Sequence, residues 1–151
     1  MIILVALALL LVFLSVAIPA VAVAHSTMRL MTNTRLRALN VLRSHVLLLF
    51  LIFTVLLTSH LLQAAIWAVA YVAIGGFTDL GTALYYSLSS YTTVGFADVV
   101  LPEQFRLLGP LESATGVLMF GWSTGYIFAF ATRMLAAQSP PSPEQHPQPR
   151  N

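Results

Sequence analysis

The chain has 151 residues, of which 58% are hydrophobic and 8% charged, where soluble domains carry about 25% charged residues. That composition excludes an ordinary soluble globular protein. All seven basic residues are arginine, set against five acids. Their net charge is too small and too scattered for a nucleic-acid surface, and the lack of cysteine excludes disulfides and thiolate sites.

Three apolar runs, 2–24, 46–74 and 111–136, each exceed the roughly 20 residues a helix needs to cross a bilayer. The expected fold is an all-α integral membrane protein with three transmembrane helices. The first run has a rival reading as a secretory signal, because Ala22, Val23 and Ala24 precede His25 in an A-x-A-like pattern. No basic residue precedes the run, and it is longer than a usual signal core. Arg29, Arg35, Arg37 and Arg43 all lie between the first two runs, whereas 75–110 holds Arg106 among three acids. The positive-inside rule then places the amino terminus outside and the first loop in the cytoplasm.

Segment 25–45 intersperses Leu30, Met31, Leu36, Leu39 and Leu42 with its arginines. It reads either as a short interfacial helix with Arg towards lipid phosphates or as a solvated basic loop. Within the second run, Thr58, Ser59, His60 and Gln63 form a polar group, read as hydrogen bonding to a neighbouring helix, with the first run as candidate neighbour, rather than as a pH sensor.

Between the second and third runs, Thr78 and Asp79 make a helix start, because their oxygens can satisfy free N–H groups, and 81–91 has the length of about three turns. Thr92, Thr93, Val94, Gly95, Phe96, Ala97 and Asp98 follow. An irregular backbone at membrane depth is tolerated only where protein buries it or water lines it. A short helix followed by such a strand therefore predicts a re-entrant pore lining.

The run from Ala83 to Asp98, with its Thr93-Val94-Gly95-Phe96 core, resembles the pore helix and selectivity filter of tetrameric potassium channels, in particular the small bacterial ones built from an outer helix, a pore loop and an inner helix. The resemblance covers about 46–134. It implies a homotetramer in which Thr93, Val94, Gly95 and Phe96 aim their carbonyls at one axis and replace the hydration shell of a monovalent cation. The Thr93 hydroxyl would close the inner end, and Gly95 would supply backbone angles that a Cβ disfavours. Tyr85 and Tyr86 match an aromatic pair that braces the filter, Ser89 stands where some relatives carry a buried acid, and Thr92 and Asp98 flank the filter. Two positions depart from the family: Phe96 replaces the usual Tyr, and Ala97 the usual Gly. A methyl group at positive φ costs on the order of 1 kcal/mol in each chain, so Ala97 predicts a rearranged outer mouth with weaker selectivity or a closed filter.

Along the third run, Gly116, Phe120, Thr124 and Phe128 recur every four residues on one stripe. In the resemblance Gly116 falls near a hinge glycine, and Phe120 and Phe128 become apolar constrictions; lipid-facing or helix-packing aromatics are the alternative. Gly121 and Gly125 read as a close helix contact. Glu112 is expensive in a membrane unless paired, and its expected partners are Arg106, Ser89 or the pore-helix backbone. The Pro-rich segment 137–151 reads as a disordered cytoplasmic tail, with no room for a ligand-binding gate.

No catalytic constellation, metal spacing or periodic Arg row is present, so neither an enzyme nor a voltage sensor is expected. The expected function is passive potassium conduction by a homotetramer in the plasma membrane, here a bacterial inner membrane. Its partners are the lipid bilayer, further copies of the chain and monovalent cations, with no cofactor beyond the permeant potassium. A weakly selective sodium and potassium channel, or a non-conducting pore-fold subunit, are the alternatives, both motivated by Ala97.

Overall fold

Backbone groups in hydrocarbon have no water to bond, so an apolar chain must satisfy them within helices or closed barrels. The structure, a computed structural model, describes residues 2–32 and 41–136. It takes the helical solution: α1 (Ile2–Thr32), α2 (Val41–Ala73), α3 (Leu80–Tyr91), a 3-10 turn (Glu103–Phe105) and α4 (Leu108–Ala136). No hydrogen-bonded β-strand occurs among the described residues; the extended stretch after α3 is a strand only in its course. Three segments are long and apolar enough to span a membrane: Leu4–Ser26, Val46–Ala73 and Glu103–Arg133.

The helix boundaries differ from the hydropathy limits: α2 begins at Val41, ahead of its apolar run, and two others have a local reason. α1 continues to Thr32, eight residues past the end of the apolar run, because a helix keeps its backbone bonds after its side chains become polar. α4 starts at Leu108 and holds Pro110 in its first turn, where a missing N–H removes no intrahelical bond. Residues 33–40 and 137–151 lie outside the described residues, and with them the choice between interfacial helix and basic loop, as well as the Pro-rich tail.

α1 packs its Ala8, Leu11, Ser15, Pro19 and Val23 face inward, at the three-and-four spacing of one helical side. Trp67 Nε1 of α2 donates to Ser15 Oγ at 3.3 Å across that seam. Ala8 and Leu11 join Trp67, Ala68, Tyr71, Ala83, Leu101 and Leu108 in one core, so α1 backs the outer helix at the level of the short helix α3. Lower down, Val23 packs with Ile52 and Leu56 and meets Tyr126 and Phe130 of α4.

α2 ends in paired bonds, Gly75 N–H to Val72 O at 3.0 Å and Gly76 N–H to Tyr71 O at 2.8 Å, which satisfy its last carbonyls. Asp79 then caps α3 by accepting from Thr82 N–H at 2.8 Å. That bond holds the Asp79 carboxyl below the usual carboxylate range. Ala83, Ser87 and Tyr91 form the buried face of α3, wedged between α2 and α4.

Candidate functional site

The segment after α3 does not form regular structure. Thr92 closes the helix with its N–H on Leu88 O at 3.1 Å and its hydroxyl on the same oxygen at 2.6 Å. Thr93, Gly95 and Ala97 then adopt φ of 62°, 60° and 61°, in alternation with Val94 and Phe96, which do not. Alternating the sign of φ at every second residue turns successive carbonyls towards one side, which neither a helix nor an ordinary strand achieves. Two of the three positive positions carry a Cβ, in a backbone region costing on the order of 1–2 kcal/mol for such residues.

Ser89 holds this strand from behind. Its carbonyl accepts from Gly95 N–H at 3.2 Å, and its hydroxyl accepts from Phe96 N–H at 3.2 Å. At the far end Tyr85 donates to Asp98 Oδ2 at 2.9 Å, and its ring stacks on Phe96 with centroids 6.2 Å apart and planes 11° from parallel. Asp98 Oδ1 accepts from Val99 N–H at 3.1 Å. The hydrogen bond to Asp98 raises the Tyr85 hydroxyl above the ordinary tyrosine pKa. A cleft of about 480 Å³, lined by Tyr85, Ser89, Gly95, Asp98, Pro110 and Ser113, separates the strand from the start of α4. The strand is therefore fixed at points rather than packed along its length. Val94 and Phe96 are 55% and 65% exposed in the single chain.

The two tyrosines grouped by the resemblance divide between two places. Tyr85 meets the strand, whereas Tyr86 turns into the core, where its ring lies 5.4 Å from Tyr71 and 5.1 Å from Phe77. Its hydroxyl also stands where a β-carbon on Gly109 would be. Neighbours in a helix point about 100° apart, so an adjacent pair cannot share one target.

Glu112 meets neither Arg106 nor Ser89. It is fully buried, with Oε2 accepting from Tyr71 Oη at 2.6 Å and Oε1 against Ser87 Oγ. The expected pore-helix partner is thus a side chain, one helical face away from Ser89. The polar group on α2 also finds partners other than the first span. His60 Nδ1 lies 2.9 Å from Tyr91 Oη, and Nε2 lies 3.0 Å from Ser123 Oγ on α4. Tyr91 donates to Gln63 Oε1 at 2.7 Å, and Gln63 Nε2 to Ser59 O at 3.1 Å. Because Tyr91 spends its proton on Gln63, a neutral His60 bears its hydrogen on Nδ1 and accepts from Ser123 on Nε2. These contacts lock the end of α3 to α2 and, through His60, to α4.

On α4 the four-residue stripe breaks up. Gly116 is buried against the Tyr91 carbonyl, and Phe120 packs on His60 and Tyr91 with centroids at 4.7 and 5.5 Å. Thr124 and Phe128 are exposed in the single chain. At Gly121 and Gly125 an added β-carbon meets nothing within 4 Å, so neither makes the expected close contact among the described residues of one chain. Ser90 donates to Gly109 O at 3.0 Å, and Ser113 donates to Ser90 O at 2.7 Å. Sequence reading did not single out Ser87, Tyr91, Ser113 or Ser123 as tethers. The recurrence of Ser87 and Tyr91 four apart on α3 was the available signal, but serines in apolar helices are common.

No curated protein and no solved structure is significantly similar to this chain. A family model described as ion channel does match, over residues 46–133. That region runs from α2 through the capped short helix and the strand of alternating φ into α4. The chain is an all-helical, multi-pass membrane protein that belongs to the ion channel family.

Proposed function

We propose that four copies of the chain surround one axis and conduct potassium passively, with Thr93, Val94, Gly95 and Phe96 presenting carbonyl oxygens to the dehydrated ion. The observation that carries this reading is the alternation of positive φ at Thr93, Gly95 and Ala97, the backbone pattern that lines up carbonyls on one side. One strand gives each ion too few oxygens, so the site needs several chains to replace a hydration shell. The exposed Val94 and Phe96 side chains are surfaces that neighbouring copies would cover. The Thr93 hydroxyl closes the inner end. The carboxyl end of α3 directs its dipole to favour a cation below. Thr124 and Phe128 are left on the cavity stripe, with Phe120 at its packed upper edge. The arginine distribution supports an amino terminus outside and a carboxyl terminus in the cytoplasm, and the membrane in this reading is a bacterial inner membrane.

A second reading, a weakly selective monovalent cation channel, is favoured by one observation, Ala97 at φ 61°. A methyl group in that region strains the outer filter once per chain. Reversal potentials of the purified protein in bilayers under opposed potassium and sodium gradients, with Ala97→Gly measured alongside, separate the two. A potential near the potassium limit for both proteins supports the selective channel. A potential near zero that moves towards potassium only in Ala97→Gly supports the weakly selective one. Absence of conductance in both overturns the channel reading.

A further inference from the structure

Glu112 sits among groups that constrain its proton. It is 0% exposed, and its two oxygens meet the hydroxyls of Tyr71 and Ser87. The Ser87 hydroxyl also lies 2.7 Å from the carbonyl oxygen of Ala64 on α2. These are three oxygen-to-oxygen contacts, and each needs one hydrogen. Tyr71 supplies one, directed at Oε2. A serine hydroxyl supplies one, and the Ala64 carbonyl can only accept, so the Ser87 proton goes to Ala64. The contact between Ser87 and Oε1 is then left without a hydrogen unless Glu112 provides it.

We propose that Glu112 is a neutral carboxylic acid and a positioning residue for the short helix: Oε1–H donates to Ser87 Oγ, Ser87 donates to the Ala64 carbonyl, and Tyr71 donates to Oε2. One uninterrupted hydrogen-bond chain then joins α4, α3 and α2 behind the strand of alternating φ. The charge balance agrees with the hydrogen count. The titratable groups facing Glu112 are Tyr71 from α2 and Tyr86 and Tyr91 from α3, all uncharged phenols. Residues 4–24 of α1 contain no titratable side chain. An ionised carboxylate there would be a buried charge held by hydroxyls alone, whereas a neutral acid uses both of its oxygens and its proton.

Glu112→Gln keeps the donor and the acceptor: its amide N–H₂ can donate to Ser87, and its carbonyl can accept from Tyr71. Infrared spectra of the wild-type protein in lipid vesicles at neutral pH, minus those of E112Q, are expected to show the carbonyl stretch of a protonated carboxyl. E112Q is expected to keep the wild-type unfolding midpoint, while Glu112→Ala lowers it by several degrees. A difference spectrum with only carboxylate bands, or an E112Q protein as unstable as Glu112→Ala or unable to fold, overturns the proposal. Neither readout involves ion flux, so a chain that conducts no potassium leaves this inference standing.

Discussion

The carbonyl of Tyr91 occupies the space that a β-carbon on Gly116 would take, with the carbonyl carbon 2.9 Å from that position. The last residue of the short helix thus rests directly on the backbone of α4, and α4 runs unbroken through the contact from Leu108 to Ala136. Whatever bends or shifts α4 at this level displaces the residue immediately before Thr92. Gly116 is required here for close approach, and any hinge role would act through the same contact.

Gly116→Ala is expected to cost about 1–3 kcal/mol, the usual range for overpacking where backbone must move. Gly121→Ala is the matched control, since its added methyl meets nothing within 4 Å among the described residues. Denaturation with graded dodecyl sulfate should resolve the two; equal stability of both variants would show that α4 yields freely at Gly116.

Ser89→Ala removes the side-chain acceptor of the Phe96 N–H, a 3.2 Å bond, and leaves the backbone bond from Gly95 in place. The loss is expected to be about 0.5–1.5 kcal/mol per chain. Because the bond fixes a carbonyl direction, ion selectivity should fall more than stability. A potassium-to-sodium permeability ratio unchanged by the substitution would show that Ser89 does not set the strand.

The Tyr85 to Asp98 contact carries a pH dependence. The hydrogen bond to Asp98 raises the Tyr85 hydroxyl above its ordinary value. The contact is therefore fully present below the ordinary tyrosine pKa and is lost as pH rises through the raised one. Tyrosinate absorbance of the wild-type protein minus that of Tyr85→Phe isolates this residue. Asp98→Asn should return its titration towards the ordinary range; no movement would place the cause elsewhere.

His60 serves two hydroxyls, Tyr91 on the short helix and Ser123 on α4. Ser123→Ala is expected to cost about 0.6 kcal/mol, the average for one hydrogen bond between membrane helices. His60→Ala strands Ser123 and takes one bond from Tyr91, which keeps its bond to Gln63, and should cost about 1–3 kcal/mol. In the double variant the costs should fall short of their sum, because Ser123 loses nothing further once His60 is gone. Additive costs would mean that the 3.0 Å contact contributes nothing.

Much of the architecture is legible in the chain because the bilayer is a uniform solvent. Length and apolarity alone mark three segments able to cross, Asp79 marks the start of the short helix by its capping chemistry, and the run from Thr92 to Asp98 stands out between two of them as a segment without a helical pattern. The positive φ at Gly95 follows from its residue type, and Ala97 was recognisable as a residue out of place there.

The pairings between helices were decided only in three dimensions. Periodicity gives the face on which Glu112, His60 or Gly116 lies, but not the rotation and depth of the helix opposite. Glu112 therefore meets Ser87 and Tyr71 instead of Arg106 or Ser89, His60 meets α3 and α4 instead of α1, and Tyr85 and Tyr86 part company. A shift of a single residue along one helix turns its face by about 100° and moves it about 1.5 Å, which is enough to exchange every one of these partners while leaving the hydropathy unchanged.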